Sequence, residues 1–175
     1  MGRPRGFDEE QAVAATAELF ARRSYDGTSV DDLVNQTGVH RGSLYKTFGS
    51  KRGLYLAALR HHVDHEVTRF AAGIADAGGS PSAVRRALVA DTPDLDLAFL
   101  LLAAVERAAA DEDVAKEVDR AFGLLDAAIR PLLTDPDAAA LASGLTAVTL
   151  GLLLRARVNP ASTTDAAQAL LTRLV

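Results

Sequence analysis

Apolar residues recur at helical spacing along most of the chain, and sustained alternation of apolar and polar residues is almost absent. Near the N-terminus, Val13, Ala17 and Phe20 repeat at i, i+4 and i+7 behind Asp8, a residue suited to cap a helix. A second periodic stretch, from residue 51 to about residue 77, predicts a long helix. Residues 96–110 are apolar nearly all round, which is typical of a helix inside a core. The pattern predicts an all-α fold.

Breaks rich in glycine and proline separate further helices in the second half of the chain. The clearest break is residues 78–81, Gly-Gly-Ser-Pro, after which a helix is predicted at about 82–90. Longer periodic stretches predict helices at about 111–133 and 135–157. A last helix is predicted from residue 162 or 163 to the C-terminus.

Two short helices joined by a tight turn are predicted between Thr28 and Phe48. Thr28 or Ser29 can cap the first helix, and Gly38 ends it at a position that usually needs a positive φ. About three residues later, the second helix begins at His40. This is the layout of a helix-turn-helix, whose second helix lies in the DNA major groove.

The second helix has one apolar side and one side rich in hydrogen-bonding groups. Leu44 and Phe48 lie at i and i+4 and are expected to be buried. The other positions carry groups that bond base edges and phosphates, or no side chain at all. Alternatively, this is an ordinary solvated helix face. The outward positions are Arg41, Gly42, Ser43, Tyr45, Lys46 and Thr47.

About the first 60 residues carry a combination of motifs that resembles the DNA-binding domain of the TetR family of bacterial transcriptional regulators. Three positions depart from the family pattern, namely Ser24, Val34 and Thr47, which stand where a glycine, a small residue and a histidine are usual. The residues that carry the resemblance are Ala17, Leu19, Phe20, Tyr25, Gly27–Val30, Leu33, Thr37–Val39, Gly42–Tyr45, Phe48, Ser50, Lys51 and Leu54.

The resemblance implies that Lys51, in the first turn of the long helix, contacts the DNA backbone. His40 is a further candidate phosphate contact, and Thr28 is expected to assist. Residues 1–6 form a basic arm that is expected to reach a minor groove, or else is only a soluble tail. The complete predicted DNA-binding set is Arg3, Arg5, Thr28, His40, Arg41, Gly42, Ser43, Tyr45, Lys46, Thr47 and Lys51.

The same resemblance implies two domains. Residues 1–50 would be the DNA-binding domain, and residues 51–175 a helical domain that binds a small-molecule effector. The helices within about 135–175 would form a homodimer, although they could instead be the edge of an intramolecular core. In such a homodimer, two DNA-binding domains about 34 Å apart would read a pseudo-palindromic DNA site. Polar residues at the edge of the second core are candidate effector contacts: Glu106, Arg107, Thr146, Thr149 and Arg155.

The formal net charge is −4, but the charge is unevenly distributed. Residues 1–53 hold eight Lys or Arg against seven Asp or Glu, so a local basic face is compatible with an acidic protein. The absence of cysteine excludes disulfides and thiolate chemistry. The first ten residues lack the apolar core of a signal peptide, and no uninterrupted apolar run approaches about 18 residues. A cytoplasmic protein without a membrane partner is expected.

No catalytic motif is evident in the sequence. There is no nucleophile elbow, glycine-rich phosphate loop or paired-carboxylate motif, so neither an enzyme nor a cofactor is predicted. His61 and His65 share a helix face, but without a third predictable ligand no metal site is expected. The predicted function is a ligand-responsive, sequence-specific DNA-binding regulator that acts as a repressor. The alternative is a helical binding or interaction protein with weak, non-specific DNA affinity.

Overall fold

The computed structural model describes residues 6–76, 97–156, 158–159 and 169. Every regular element within these ranges is helical, so the predicted all-α class is confirmed. Three predicted features lie outside the described residues: the arm with Arg3 and Arg5, the helix at 82–90, and nearly all of the last helix.

The first three helices form a compact head. They are α1 (Glu9–Arg22), α2 (Val30–Thr37) and α3 (Arg41–Phe48). Helix α1 packs against α2 and against the helix that follows α3, because its buried side carries the predicted apolar residues. Phe20, Leu33 and Leu44, one from each helix, are each 1% exposed. Burial of such side chains contributes roughly 1.5–3 kcal/mol each.

The long helix predicted from residue 51 contains a wide turn. It runs as α4 (Lys51–His62), a π-helical turn (Val63–Val67) and α5 (Thr68–Asp76). The π turn differs from the uninterrupted α-helix that the periodicity predicts, because one wider turn hardly disturbs the pattern of apolar residues. The predicted apolar stripe is indeed buried: Leu54, Leu59, Val63, Val67, Phe70 and Ile74.

A second π turn interrupts the apolar helix predicted at 96–110. The structure has α6 (Ala98–Leu102) followed by π-helical Ala103–Arg107. Then come α7 (Glu112–Ile129) and a short 3₁₀ turn (Arg130–Leu132), at which Pro131 ends the regular helix. The last described helix, α8 (Ala138–Ala156), begins three residues after Asp135, whose carboxylate accepts a hydrogen bond from the Asp137 N–H at 2.8 Å.

The chain divides into two compact units. The first comprises Met1–His65 and Ala98–Val118, and the second comprises Glu66–Leu97 and Asp119–Val175. These units do not follow the functional boundary predicted after residue 50. Residues 98–118 belong to the first unit because Phe99 contacts aromatic rings of α1 and α4, and because Asp111 binds Arg52.

Helix α8 is unusually apolar for its exposure. Among the described residues, it is long and apolar enough to cross a membrane by length and composition, with 19 residues and a mean hydropathy of 1.6. Serine, threonine and glycine interrupt its apolar runs, so the sequence pattern did not indicate a possible span. A helix that is covered by another protein chain has the same composition, so this property alone is weak evidence for a membrane span.

Candidate DNA-binding site

Local hydrogen bonds fix the helix-turn-helix. Ser29 accepts the Asp32 N–H at 3.1 Å, and Asp32 in return accepts the Ser29 N–H at 2.8 Å, so the two residues cap α2 reciprocally. The Ser29 hydroxyl also donates to Asp32 Oδ2 at 2.6 Å, and this bond, together with the one from the Ser29 N–H, lowers the pKa of Asp32. Gly38 ends α2 with a φ of 68°, as predicted. Three residues therefore separate α2 from α3, and the turn is determined mainly by local sequence.

Helix α3 exposes the side that the sequence analysis assigned to DNA. Leu44 is buried and Phe48 is partly buried, whereas all six predicted outward residues, from Arg41 to Thr47, are exposed. His40 precedes the first turn, and its side chain makes no capping hydrogen bond. The His40 imidazole is exposed and does not cap the first-turn N–H groups of α3. N–H groups at a helix N-terminus favour an anion.

Arg41 lies between two other groups on this surface. Its Nη2 is 4.0 Å from Asp31 Oδ1, and its guanidinium carbon is 6.0 Å from the ring centroid of Tyr45. Both charged side chains are more than half exposed, so this ion pair holds Arg41 only weakly. A Cβ atom added to Gly42 would meet no heavy atom within 4 Å. The protein's own packing therefore does not require a glycine there.

Lys51 lies in the first turn of α4, beside the head. Ser50 caps this helix by accepting the Gly53 N–H at 3.1 Å. The Lys51 Nζ atom is 4.2 Å from the ring centroid of Tyr25. A helix N-terminus and an ammonium group thus occur together, which is a suitable arrangement for a phosphate.

Thr28 is placed differently from the other predicted contacts. Its side chain is only 1% exposed, and its hydroxyl donates a hydrogen bond to the Ser24 carbonyl at 2.9 Å. The Thr28 hydroxyl therefore stabilises the loop between α1 and α2 and does not face solvent. The contact expected from the sequence does not fit this buried position, because the motif does not reveal which way a loop side chain points.

An ion-pair network borders the head. It was not predicted from the sequence. Asp111 is buried and accepts two hydrogen bonds from Arg52, both at 2.7 Å, while Arg107 Nη2 lies 3.5 Å away. The Arg52 guanidinium holds the pKa of Asp111 at about 2, and it also lowers the pKa of Asp113. No sequence signal could have revealed this network, because Arg52 and Asp111 are 59 positions apart.

The predicted effector residues already have partners within the protein. In the first unit, Glu106 accepts the Tyr25 N–H at 3.3 Å, and Arg107 lies over the Tyr25 ring. In the second unit, the Thr146 hydroxyl donates to Asp126, and the Thr149 hydroxyl donates to the Leu145 carbonyl. Both threonines are buried. Sequence reasoning missed Asp126, the acidic partner of Thr146.

An open cavity of about 360 Å³ lies near the end of α8. Among the described residues it is lined by Leu154, Arg155, Val158 and Asn159. Of the residues named as effector candidates from the sequence, only Arg155 lines it.

The histidine pair of α4 and its π turn does not belong to a larger ligand cluster. The rings of His61 and His65 are 4.2 Å apart between centroids. Over the described part of the chain, no group of three or more His, Asp or Glu side chains is arranged to hold a metal ion.

Comparison with known proteins supports the same assignment. The model of the bacterial regulatory proteins of the tetR family matches residues 12–58. An uncharacterised HTH-type transcriptional regulator, YezE of Bacillus subtilis, is 29% identical over 91% of this chain and 91% of its own. The HTH-type transcriptional repressor BdcR of Escherichia coli is 42% identical, but over only 37% of this chain and 33% of BdcR.

A solved structure matches nearly the whole chain. It is the TetR family transcriptional regulator CifR, as a cysteine mutant complexed with 26-bp operator DNA. The match has a TM-score of 0.80, an identity of 26%, and a coverage of 99% of this chain and 100% of that one.

The capped helix-turn-helix, with the exposed face of α3, defines a helix-turn-helix transcriptional regulator. The match of the head to the family model and the matches of the whole chain to YezE and CifR narrow the class further. The chain belongs to the TetR family of bacterial transcriptional regulators.

Proposed function

We propose that the protein is a homodimeric, ligand-responsive repressor that binds a pseudo-palindromic operator. The observation that carries the proposal is the continuous exposed face of α3, presented by a helix whose opposite side is buried through Leu44. The operator complex of CifR, a protein with the same fold over the whole chain, supports it.

Within this proposal, the exposed residues divide into two roles. Arg41 and Ser43 read base edges, because a guanidinium and a hydroxyl on the first turn of α3 lie deepest in a major groove. Tyr45, Lys46 and Lys51 bind phosphates and set the register, with His40 at the start of α3. Gly42 lets the DNA approach the helix closely, and Thr47 lines the same face. Arg3 and Arg5 extend the contact into a minor groove.

The dimer uses the exposed apolar face of α8. Leu141, Val148 and Leu154 are 42%, 40% and 56% exposed. Leu141 and Val148 lie on one edge of this face, and Leu154 lies on the other edge, about 120° further round the helix. Gly144, Ala147 and Gly151 lie between them and are also exposed, so a second helix can approach closely. Only 22% of the most apolar window of α8 is buried within one chain, which leaves a face that a second copy covers.

An effector regulates this dimer by binding one of its conformations more tightly than the other. The described part of the second unit is rich in Leu and Ala, which favours an apolar or amphipathic effector. The proteins that this chain matches are transcriptional regulators, and we propose that this chain has no catalytic activity and acts in the cytoplasm.

Selection of bound DNA from a random duplex pool tests the proposal. The purified protein is incubated with the pool at about 0.15 M salt, a concentration at which exposed charges are partly screened. Enrichment of a pseudo-palindrome with half-sites about one helical turn apart is the expected result. Absence of enrichment, with binding that disappears at modest salt, would leave only non-specific phosphate attraction and would favour a helical binding protein.

A further inference from the structure

The ring of Tyr25 lies against two cations from different parts of the first unit. Lys51 Nζ is 4.2 Å from the ring centroid, and Arg107 Cζ is 4.5 Å from it. Both distances are within the range of a cation–π interaction, which extends to about 6 Å. Asp111 lies 3.5 Å from Arg107 and compensates its charge, so the two cations can share one ring.

The position of this ring is fixed on several sides. The Tyr55 ring meets it edge-on at 5.0 Å, and the Phe20 ring stacks at 6.1 Å. The Tyr25 N–H donates a hydrogen bond to Glu106, the residue before Arg107. The ring is therefore held by the core of the head and by the π-helical turn at Ala103–Arg107.

A purely structural role does not account for the placement of Tyr25. Phe20, Tyr55 and Phe99 form the core of the same aromatic cluster and are at most 2% exposed. Tyr25 is only partly buried, and both cations lie over its ring. Burial raises the pKa of its hydroxyl, so the ring stays neutral at physiological pH and attracts cations.

We propose that Tyr25 is a positioning residue for the phosphate contact of Lys51, and that Glu106 and Arg107 hold its ring in place. A lysine side chain has many rotamers, and ordering them opposes binding. A ring that confines the ammonium beside the N-terminus of α4 removes part of this cost before DNA arrives. The inference rests on the proposed function, because it assumes that Lys51 binds a phosphate.

A double-mutant cycle tests the inference. Tyr25→Leu, Lys51→Ala and the double variant are titrated with the operator selected by the wild type, over a range of salt concentrations. Tyr25→Leu should weaken binding about fivefold to thirtyfold for a dimer, equally for all operator variants. It should add almost nothing to Lys51→Ala, since both changes act on one contact. Tyr25→Phe keeps the ring and should bind like the wild type.

Two controls separate positioning from folding. Phe99→Leu alters a buried ring of the same cluster and should lower the thermal midpoint. Its effect on operator affinity should be independent of that of Lys51→Ala, so the two effects should multiply in the double variant. NMR of the free protein gives a reading that does not depend on DNA. Ring current should shift the Lys51 ε-methylene protons upfield in the wild type and in Tyr25→Phe, but not in Tyr25→Leu. Tyr25→Met replaces Tyr25→Leu if the latter does not fold.

The outcomes that contradict the inference are distinct from a failure of the proposed function. If the wild type selects an operator but the effects of Tyr25→Leu and Lys51→Ala multiply fully, Tyr25 does not position Lys51. Unshifted Lys51 protons in the wild type would also overturn the role. If the wild type selects no operator, the proposed function is overturned, and with it the phosphate contact that Tyr25 would serve.

Discussion

Asp111 offers the sharpest test of how residues 98–118 are held against the head. Its carboxylate accepts two hydrogen bonds from Arg52 at 2.7 Å, and its Oδ1 also lies 3.2 Å and 3.4 Å from the N–H groups of Asp113 and Val114. The residue therefore combines a forked ion pair with the cap of α7. Its side chain is 4% exposed.

The two contributions can be separated by two substitutions. Asp111→Asn keeps a capping oxygen but removes the charge, whereas Asp111→Ala removes both. Loss of a cap costs about 1 kcal/mol. Loss of one partner of a fully buried ion pair costs about 3–5 kcal/mol, but Arg52 is 46% exposed and can rehydrate, so about 2 kcal/mol is expected. The free energy of unfolding should fall by about 2 kcal/mol for Asp111→Asn and about 3 kcal/mol for Asp111→Ala.

The effect should also depend on pH in a defined direction. The pKa of Asp111 is about 2 in the folded protein, below the ordinary value of 3.8, so folding favours the charged carboxylate. The stabilisation is complete well above pH 3.8 and is lost as the pH falls toward about 2. The difference between the wild type and Asp111→Asn should therefore shrink over this window.

Urea denaturation at pH 7 and at several values down to pH 2.5, all at one protein concentration, measures both effects; ~pH 2.5 is low enough for part of the loss to appear. Glu112→Gln is the matched control, because its carboxylate is 84% exposed and pairs with Lys116 across one helical turn. It should change stability by less than about 0.5 kcal/mol. The reasoning would be refuted if wild type and Asp111→Asn had the same free energy of unfolding at pH 7, or if their difference were the same at all pH values.

Four further predictions concern the head and the dimer. Arg41→Ala should reduce the preference for the correct base at one step of each half-site by about 1–3 kcal/mol of binding free energy. If all operator variants were weakened equally, Arg41 would instead be a backbone contact. Gly42→Ala should stabilise the fold by up to about 1 kcal/mol yet weaken operator binding, as thermal melts and titrations would show. Gly53→Ala should destabilise by about 1–3 kcal/mol in urea, since its Cβ would lie 1.9 Å from a backbone oxygen. Val148→Glu should yield monomers in sedimentation, and an unchanged dimer would exclude this face.

The parts of the structure that were predictable are those determined by near neighbours in sequence. The cap formed by Ser29 and the left-handed conformation of Gly38 depend on contacts within four residues. The structure places the cap at one of the two predicted residues and the left-handed conformation at the predicted glycine. The burial of Leu44 follows from helical spacing in the same way. These local features suffice to establish the helix-turn-helix and its exposed face.

The parts that were not predictable depend on residues far apart in sequence or on small changes of helical geometry. The two π turns preserve the apolar periodicity, so the pattern of the sequence could not reveal them. The pairing of Arg52 with Asp111 arises only once 98–118 joins the first unit. Thr28 fits a helix-turn-helix motif, but its buried orientation depends on the loop that encloses it.

Glu106 and Arg107 show how charged groups at the end of an apolar helix can find partners within the protein. They stood out in the sequence as charged residues at the end of an apolar helix, which suggested an effector contact. In the structure they hold Tyr25, through its N–H and its ring, and Arg107 also pairs with Asp111. A polar group at the edge of a core must be satisfied, and a partner within the protein does this as well as a ligand. If Tyr25 positions Lys51, then a change at the π turn of residues 103–107 would reach the phosphate contact through a single ring. An effector that favours one arrangement of that turn would alter DNA affinity without moving α3.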